Sequence, residues 1–244
     1  MDVERFVRES LNGYGAQFSN GTRRGTIVIQ LAEVRASVRD AMAVGDEGSI
    51  QVCFALPCPP KAALLTRTHL LVQGLAGFVL DSALDARLSS EPLARRCGVV
   101  RTHAVKTRVA LLLLRERFQI RMGVANGGVG PQELLAEDWQ LIAFKGSSTE
   151  PEWLSQEEAE TLLAAQPEAN IAPDLARAHL GKLLDALPPL LPQIEAIVRQ
   201  RGGELLSAHR RVRQASRLNT AQTEVEPKLP ADILGVYLYL PASP

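Results

Sequence analysis

Asp232-Ile233-Leu234-Gly235-Val236-Tyr237-Leu238-Tyr239-Leu240-Pro241 is the stretch that decides the fold. It is aliphatic, aromatic and β-branched, and is preceded by Glu226-Pro227-Lys228-Leu229-Pro230. A run of this kind reads as a strand too apolar to lie in water. It must therefore return to a sheet built by earlier residues. Directly upstream, Pro189 to about Leu218 reads as a long charged helix. A closing strand that needs a sheet, reached through helices, sets the class as α+β.

The sheet that receives it is sought further upstream. Val99 to Met122 reads as one or two long strands. From Val105 to Leu114 its inner residues are nearly all apolar, as in a central strand. Beyond Leu114 the pattern alternates. Glu116, Phe118, Ile120 and Met122 point one way, and Arg115, Arg117, Gln119 and Arg121 the other. A helix over Val105 to Arg117 is the rival reading. Trp139 to Phe144 is the returning strand, with Asn126-Gly127 as a hairpin turn.

Further strands are expected at Thr26 to Leu31 and Ser49 to Leu56. Helices are expected at Val3 to Leu11, Leu31 to Met42 and Thr66 to Leu84, the last capped by Thr66 or Thr68. Beyond Pro151 the pattern is helical over Glu152 to Ala165 and Asp174 to Leu187. The expected architecture is a mixed or antiparallel sheet body with packed helices over residues 1–148. A helical hairpin arm follows over 149–220, and the strand in 221–244 returns to the body. The boundary falls near Gly146-Ser147-Ser148.

Composition narrows the function. The 244 residues carry 27 Lys+Arg and 27 Asp+Glu, so net charge gives no general attraction to nucleic acid and only local patches matter. Aromatic residues are 5%, few for a base-stacking surface. The three cysteines, Cys53, Cys58 and Cys97, fit a reducing compartment rather than a disulfide framework. The charged first residues and the shortness of the apolar runs point to a cytoplasmic protein away from membranes.

The last helix carries two patterns. Leu191, Ile194, Val198, Arg201, Leu205, Ala208, Val212 and Ala215 form a heptad-like seam. It suits packing on the Asp174 to Leu187 helix, or docking of another chain. Arg199, Arg210, Arg213 and Arg217 share a narrow stripe on another side, with His209 and Arg211 beside it. That stripe suits phosphates, or a solvated helix end. Arg115, Arg117 and Arg121 form a second candidate ladder for nucleic acid, or an exposed face that discourages edge pairing.

Catalytic signals are weak. Cys53 and Cys58 lack a second paired ligand set for zinc. His69, Cys97 and His103 would need a shared pocket to act as a nucleophile and base, and His69 at a helix start reads as structural. No G-x-x-x-x-G-K-[ST] cradle and no G-x-S-x-G elbow occurs. No catalytic residue, cofactor or metal is assigned.

Four segments carry a family resemblance. Leu65-Thr66-Arg67-Thr68-His69-Leu70-Leu71-Val72 resembles the L-T-x-x-H-P-L-V segment that opens a helix in the C-terminal region of RapA-like helicases of the Swi/Snf superfamily. Val105 to Phe118 resembles the long strand that follows. Ala208-His209-Arg210-Arg211-Val212-Arg213 and then Val225 to Tyr237 resemble the end of bacterial members, including those tied to phage defence. In order, the likeness runs from about Phe6 to Pro241. Leu70 stands where the family usually has proline. The Walker lysine, the acidic magnesium-binding motif and the arginine fingers of the RecA-like lobes are missing, so no motor residue carries over.

The resemblance implies a non-catalytic accessory domain of an ATP-dependent DNA translocase, packed on motor lobes of the same or a separate chain and touching duplex DNA or a protein. The alternative expectation is a stand-alone interaction module that dimerises through the heptad-like helix.

Overall fold

The computed structural model describes residues 3–85, 93–122, 132–215 and 223–242. The fold is α+β, in two compact units, Met1–Arg95 and Arg96–Pro244.

The first unit runs α1 (Val3–Gly13), β1 (Gln17–Asn20), β2 (Ile27–Gln30), α2 (Ala36–Ala41), β3 (Ser49–Cys53), β4 (Ala63–Leu64) and α3 (Leu70–Leu84). Its sheet has the order β1-β2-β3-β4, antiparallel except for the β3–β4 pair. Val7 and Leu11 of α1, Ile29 of β2, Val52 of β3 and Leu71 and Leu75 of α3 meet in one core. The expected Leu31 to Met42 helix shortens to α2, because Leu31 and Val34 are buried in the turn before it. Gly74 lets α3 approach α2 closely, since a Cβ there would overlap the backbone carbonyl of Ala41.

The start of α3 differs from expectation. Neither Thr66 nor Thr68 caps it; they bond to each other at 3.1 Å. His69 is the N-cap, and its Nδ1 accepts from the Leu71 amide at 3.2 Å. The His69 ring therefore accepts from a backbone N–H of the first turn. Leu70 becomes the first helical residue, where the amide has no intrahelical acceptor in any case.

The second unit runs β5 (Cys97–Thr102), β6 (Val109–Met122), β7 (Gln132–Gly146), β8 (Pro151–Trp153), α4 (Gln156–Leu162), α5 (Pro173–Asp185), a 3-10 turn (Pro188–Leu190), α6 (Leu191–Ala215) and β9 (Thr223–Pro241). The sheet order is β5-β9-β6-β7-β8. β9 does return, antiparallel to β6 and parallel to β5. Asn126-Gly127, expected at the β6–β7 turn, lies outside the described residues.

β6 is central, and its neighbours explain its pattern. Leu112 and Leu114 face a core completed by Leu183 of α5 and by Ile194 and Val198 of α6. Val109 and Leu111 face a second core completed by Ala159 and Leu162 of α4. Both faces are covered over Val109 to Leu112, and Leu113 is half-buried, so the run is continuously apolar. Beyond it only the α6 side stays covered, and alternation begins.

Two expectations on organisation are corrected. Gly146-Ser147-Ser148 is not a domain boundary. It belongs to a tight β7–β8 hairpin in which Gly146 pairs with Pro151. The division falls at Arg95/Arg96 instead. Nor are residues 149–220 an arm, because α5 and α6 bury Leu183, Leu190, Ile194 and Val198 against the sheet. A glycine-serine turn reads alike whether it joins strands or domains, and only strand pairing tells them apart.

Candidate interaction surface

The two patterns on α6 have separate fates. Ile194, Val198 and Gly202 are buried, at a spacing of four, and pack on the sheet. Gly202 is small enough to let the Phe118 ring lie against the helix, 3.3 Å from where a Cβ would stand. The ends of the expected seam are not engaged: Leu191 is 38% and Val212 65% exposed. The helix packs as one amphipathic face on a sheet rather than as a coiled-coil strand.

Beyond Leu205 the helix leaves this core. From Leu205 to Ala215 it has no acidic residue, and Arg210 and Arg211 are exposed. Arg211 also lines a groove of about 500 Å³ with Arg201, Glu204 and Ser207. Arg199 is paired with Glu195 at 3.0 Å, one helical turn back. The Arg213 side chain and all of Arg217 lie outside the described residues. Of the expected stripe, Arg210 is the described member that faces solvent without an intrahelical partner, and Arg211 joins it.

The second ladder is charge-balanced. Arg115 and Arg117 both reach Asp232 of β9, at 2.8 and 3.4 Å. Arg121 reaches Glu133 of β7 at 3.1 Å and Glu226 of β9 at 3.4 Å. The neighbouring strands thus set three carboxylates against the three guanidiniums, Asp232 being shared by Arg115 and Arg117, which strips the face of most of its positive field. Sequence shows which residues share a parity, but not which charges stand opposite them.

The residue that sequence reading passed over is Glu116. It shares the inward parity of Leu114 and Phe118 and is fully buried. Among the described residues, neither carboxylate oxygen has a hydrogen-bond partner. It lies opposite the irregularity in β9 between Lys228 and Asp232, and its cross-strand neighbour on β7 is Asp138. Arg201 of α6 holds Asp138 at 2.7 Å and Glu204 at 3.3 Å. Burial first, then the Asp138 charge, pushes the Glu116 carboxyl up to about 7, against the opposing pull of Arg201. One charged residue in an otherwise apolar parity was the signal that could have found it.

The histidines and cysteines do not assemble. Cys97 opens β5 and His103 follows its end, about 20 Å apart along extended chain. His69 belongs to the other unit. Burial and the neighbouring Cys58 push the Cys53 thiol up to about 11, which keeps it protonated at neutral pH. Among the described residues, no group of three or more His, Cys, Asp or Glu is placed to hold a metal ion. A cavity of about 890 Å³ between the β5–β6 connection, the β7–β8 hairpin and α4 is lined by residues including Val105, Val109, Lys106, Lys145, Glu152 and Glu158. No histidine or cysteine is among its lining residues. No described helix is long and apolar enough to cross a membrane.

Comparison with known families gives a match to the second unit. Residues 86–244 match a family described as Domain of unknown function (DUF8741). The chain belongs to the DUF8741 family. The DUF8741 region takes in the whole second unit, with its sheet, α6 and the returning β9. Apart from a few residues at its end, the first unit lies outside DUF8741. No curated protein matches the chain.

Proposed function

We propose that the chain is a non-catalytic accessory region of a Swi/Snf-type ATP-dependent DNA translocase, working in the cytoplasm beside motor lobes on the same or another chain. The observation that carries this reading is the division of α6. Its first half is anchored on the sheet through Ile194 and Val198, and its last turns present Arg210 and Arg211 with no acidic residue among them. A helix held at one end and cationic at the other suits contact with phosphates or an acidic partner surface. The likeness of Leu65 to Val72, Val105 to Phe118, Ala208 to Arg213 and Val225 to Tyr237 to RapA-like helicases supports the same reading.

Duplex binding measured against salt tests the phosphate contact. In the R210E/R211E variant, affinity should fall, and the slope of log K against log salt should shrink by about 2. Both residues are exposed, so the thermal midpoint serves as a control for folding. An unaltered slope removes the DNA contact from the proposal. The dimerising alternative is the weaker reading, because Ile194 and Val198 already face the chain's own sheet. Sedimentation as a monomer is the expected result.

A further inference from the structure

Among the described residues, β9 and β7 of the second sheet each have a long stretch of unpaired edge, and the two are treated differently. β5 covers β9 only from Val236 onward. Along the rest of β9, Pro227 and Pro230 interrupt the edge, and the Arg96 guanidinium occupies the Ile233 and Leu234 carbonyls at 2.9 and 2.7 Å. Prolines and charged groups of this kind discourage a foreign strand from adding.

β7 is guarded less. β8 pairs with it only at Phe144, Lys145 and Gly146. From Glu133 to Leu141 no strand among the described residues pairs with the outer side of β7, and the stretch contains no proline. Its outward backbone parity is set by the Leu154 amide, which donates to the Ala143 carbonyl at 2.8 Å. The pairing with β6 is regular throughout, so Leu141, Trp139, Glu137 and Leu135 also turn their amides and carbonyls outward. The Trp139 amide meets this need locally, donating to the Asp138 side chain at 2.9 Å. Trp139 is 49% and Leu135 65% exposed, and Glu137 between them is exposed too.

We propose that this edge of β7 is a docking site for an extended peptide segment that adds to the sheet as a further antiparallel strand. The edge carbonyls and amides would supply the main-chain bonds, and the row Leu135, Glu137, Trp139 the selectivity. The segment it fits has aliphatic residues opposite Leu135 and Trp139, with a lysine or arginine opposite Glu137, in an apolar-x-basic-x-apolar order. A second copy of the chain fits less well. The two-fold pairing that sets Leu135 against Trp139 also sets Glu137 directly against Glu137, and like charges opposite each other repel. This site is distinct from the arginines on α6 and does not depend on a translocase role.

The test uses the full chain and a labelled peptide of about nine residues, centred on Val-Thr-Lys-Thr-Ile, with its glutamate counterpart as control. Fluorescence anisotropy should show saturable binding of the lysine peptide, weakened at least about tenfold by L135P. Leu135 turns its amide away from β6, so a proline there removes an outward donor and no bond within the sheet. E137K should reverse the preference to the glutamate peptide. Should L135P unfold by circular dichroism, the E137K reversal alone decides. The proposal is overturned by no saturable binding below about 1 mM, by equal binding to folded L135P, or by an E137K variant that keeps the lysine preference. A dimer in sedimentation that L135P dissolves would assign the edge to a second copy and overturn it as well.

Discussion

Glu116 holds a carboxyl in a core whose described residues offer neither of its oxygens a donor. Burial raises its pKa from the ordinary 4.5 to about 7. The folded form therefore binds more protons than the unfolded chain between those values, and stability falls as pH rises through that window. Below 4.5 both states are protonated and the penalty vanishes. E116Q keeps the shape and removes the ionisation. It should gain up to about 3 kcal/mol over the native protein at pH 8, and its denaturation midpoint should lose the slope between pH 4.5 and 7. A native-like slope in E116Q would place the pH dependence elsewhere. The inward parity of Glu116 was readable from its neighbours. Its lack of partners was not, because that depends on where β9 departs from regular pairing and where Arg201 of α6 ends up.

Among the elements, α3 shows how far local signals reach. The apolar run over Leu70–Leu84 announced a helix, but its starting residue was misread, since threonines two and four residues upstream also looked like caps. With His69 as N-cap at φ −68 and ψ 134, Leu70 occupies the position where proline is favoured, and the residue before it is already extended. Leu70 is 72% exposed. L70P should therefore be tolerated and add about 0.5 kcal/mol by restricting the unfolded chain, read as a raised urea midpoint at unchanged m-value. A loss of stability would show that the Leu70 amide or side chain does something unseen at this helix start. β6 is the complementary case. Its change from continuous to alternating hydrophobicity falls near the residues where cover ends on one face: α4 covers Val109 and Leu111 on that face, while α6 covers Leu112, Leu114 and Phe118 on the other.

At the scale of the molecule, the cores are disjoint. Residues grouped around Val7, Leu11, Ile29 and Leu75 belong to the first unit. Those around Leu112, Phe118, Ile194 and Val198, and around Leu111 and Leu162, belong to the second. A unit with its own core can fold alone. The segment 86–244 should then unfold in a single cooperative transition, followed by near-UV circular dichroism. A compact, dye-binding state without such a transition would make the second unit dependent on the first. Length permitted two domains, but the expected boundary was placed on turn residues, and those turned out to link adjacent strands.

Taken alone, the order of residues determined the α+β class, the central strand, the long helix and the returning strand, because hydrophobic period and run length act locally. The tertiary structure decided what those elements face. It set Asp232, Glu133 and Glu226 against the arginines of β6, drew α6 onto the sheet, isolated Glu116 among the described residues, and left the outer side of β7 from Glu133 to Leu141 without a described partner strand. Each of these depends on register between segments distant in the chain, and register is set by pairing across space rather than by any pattern along one strand.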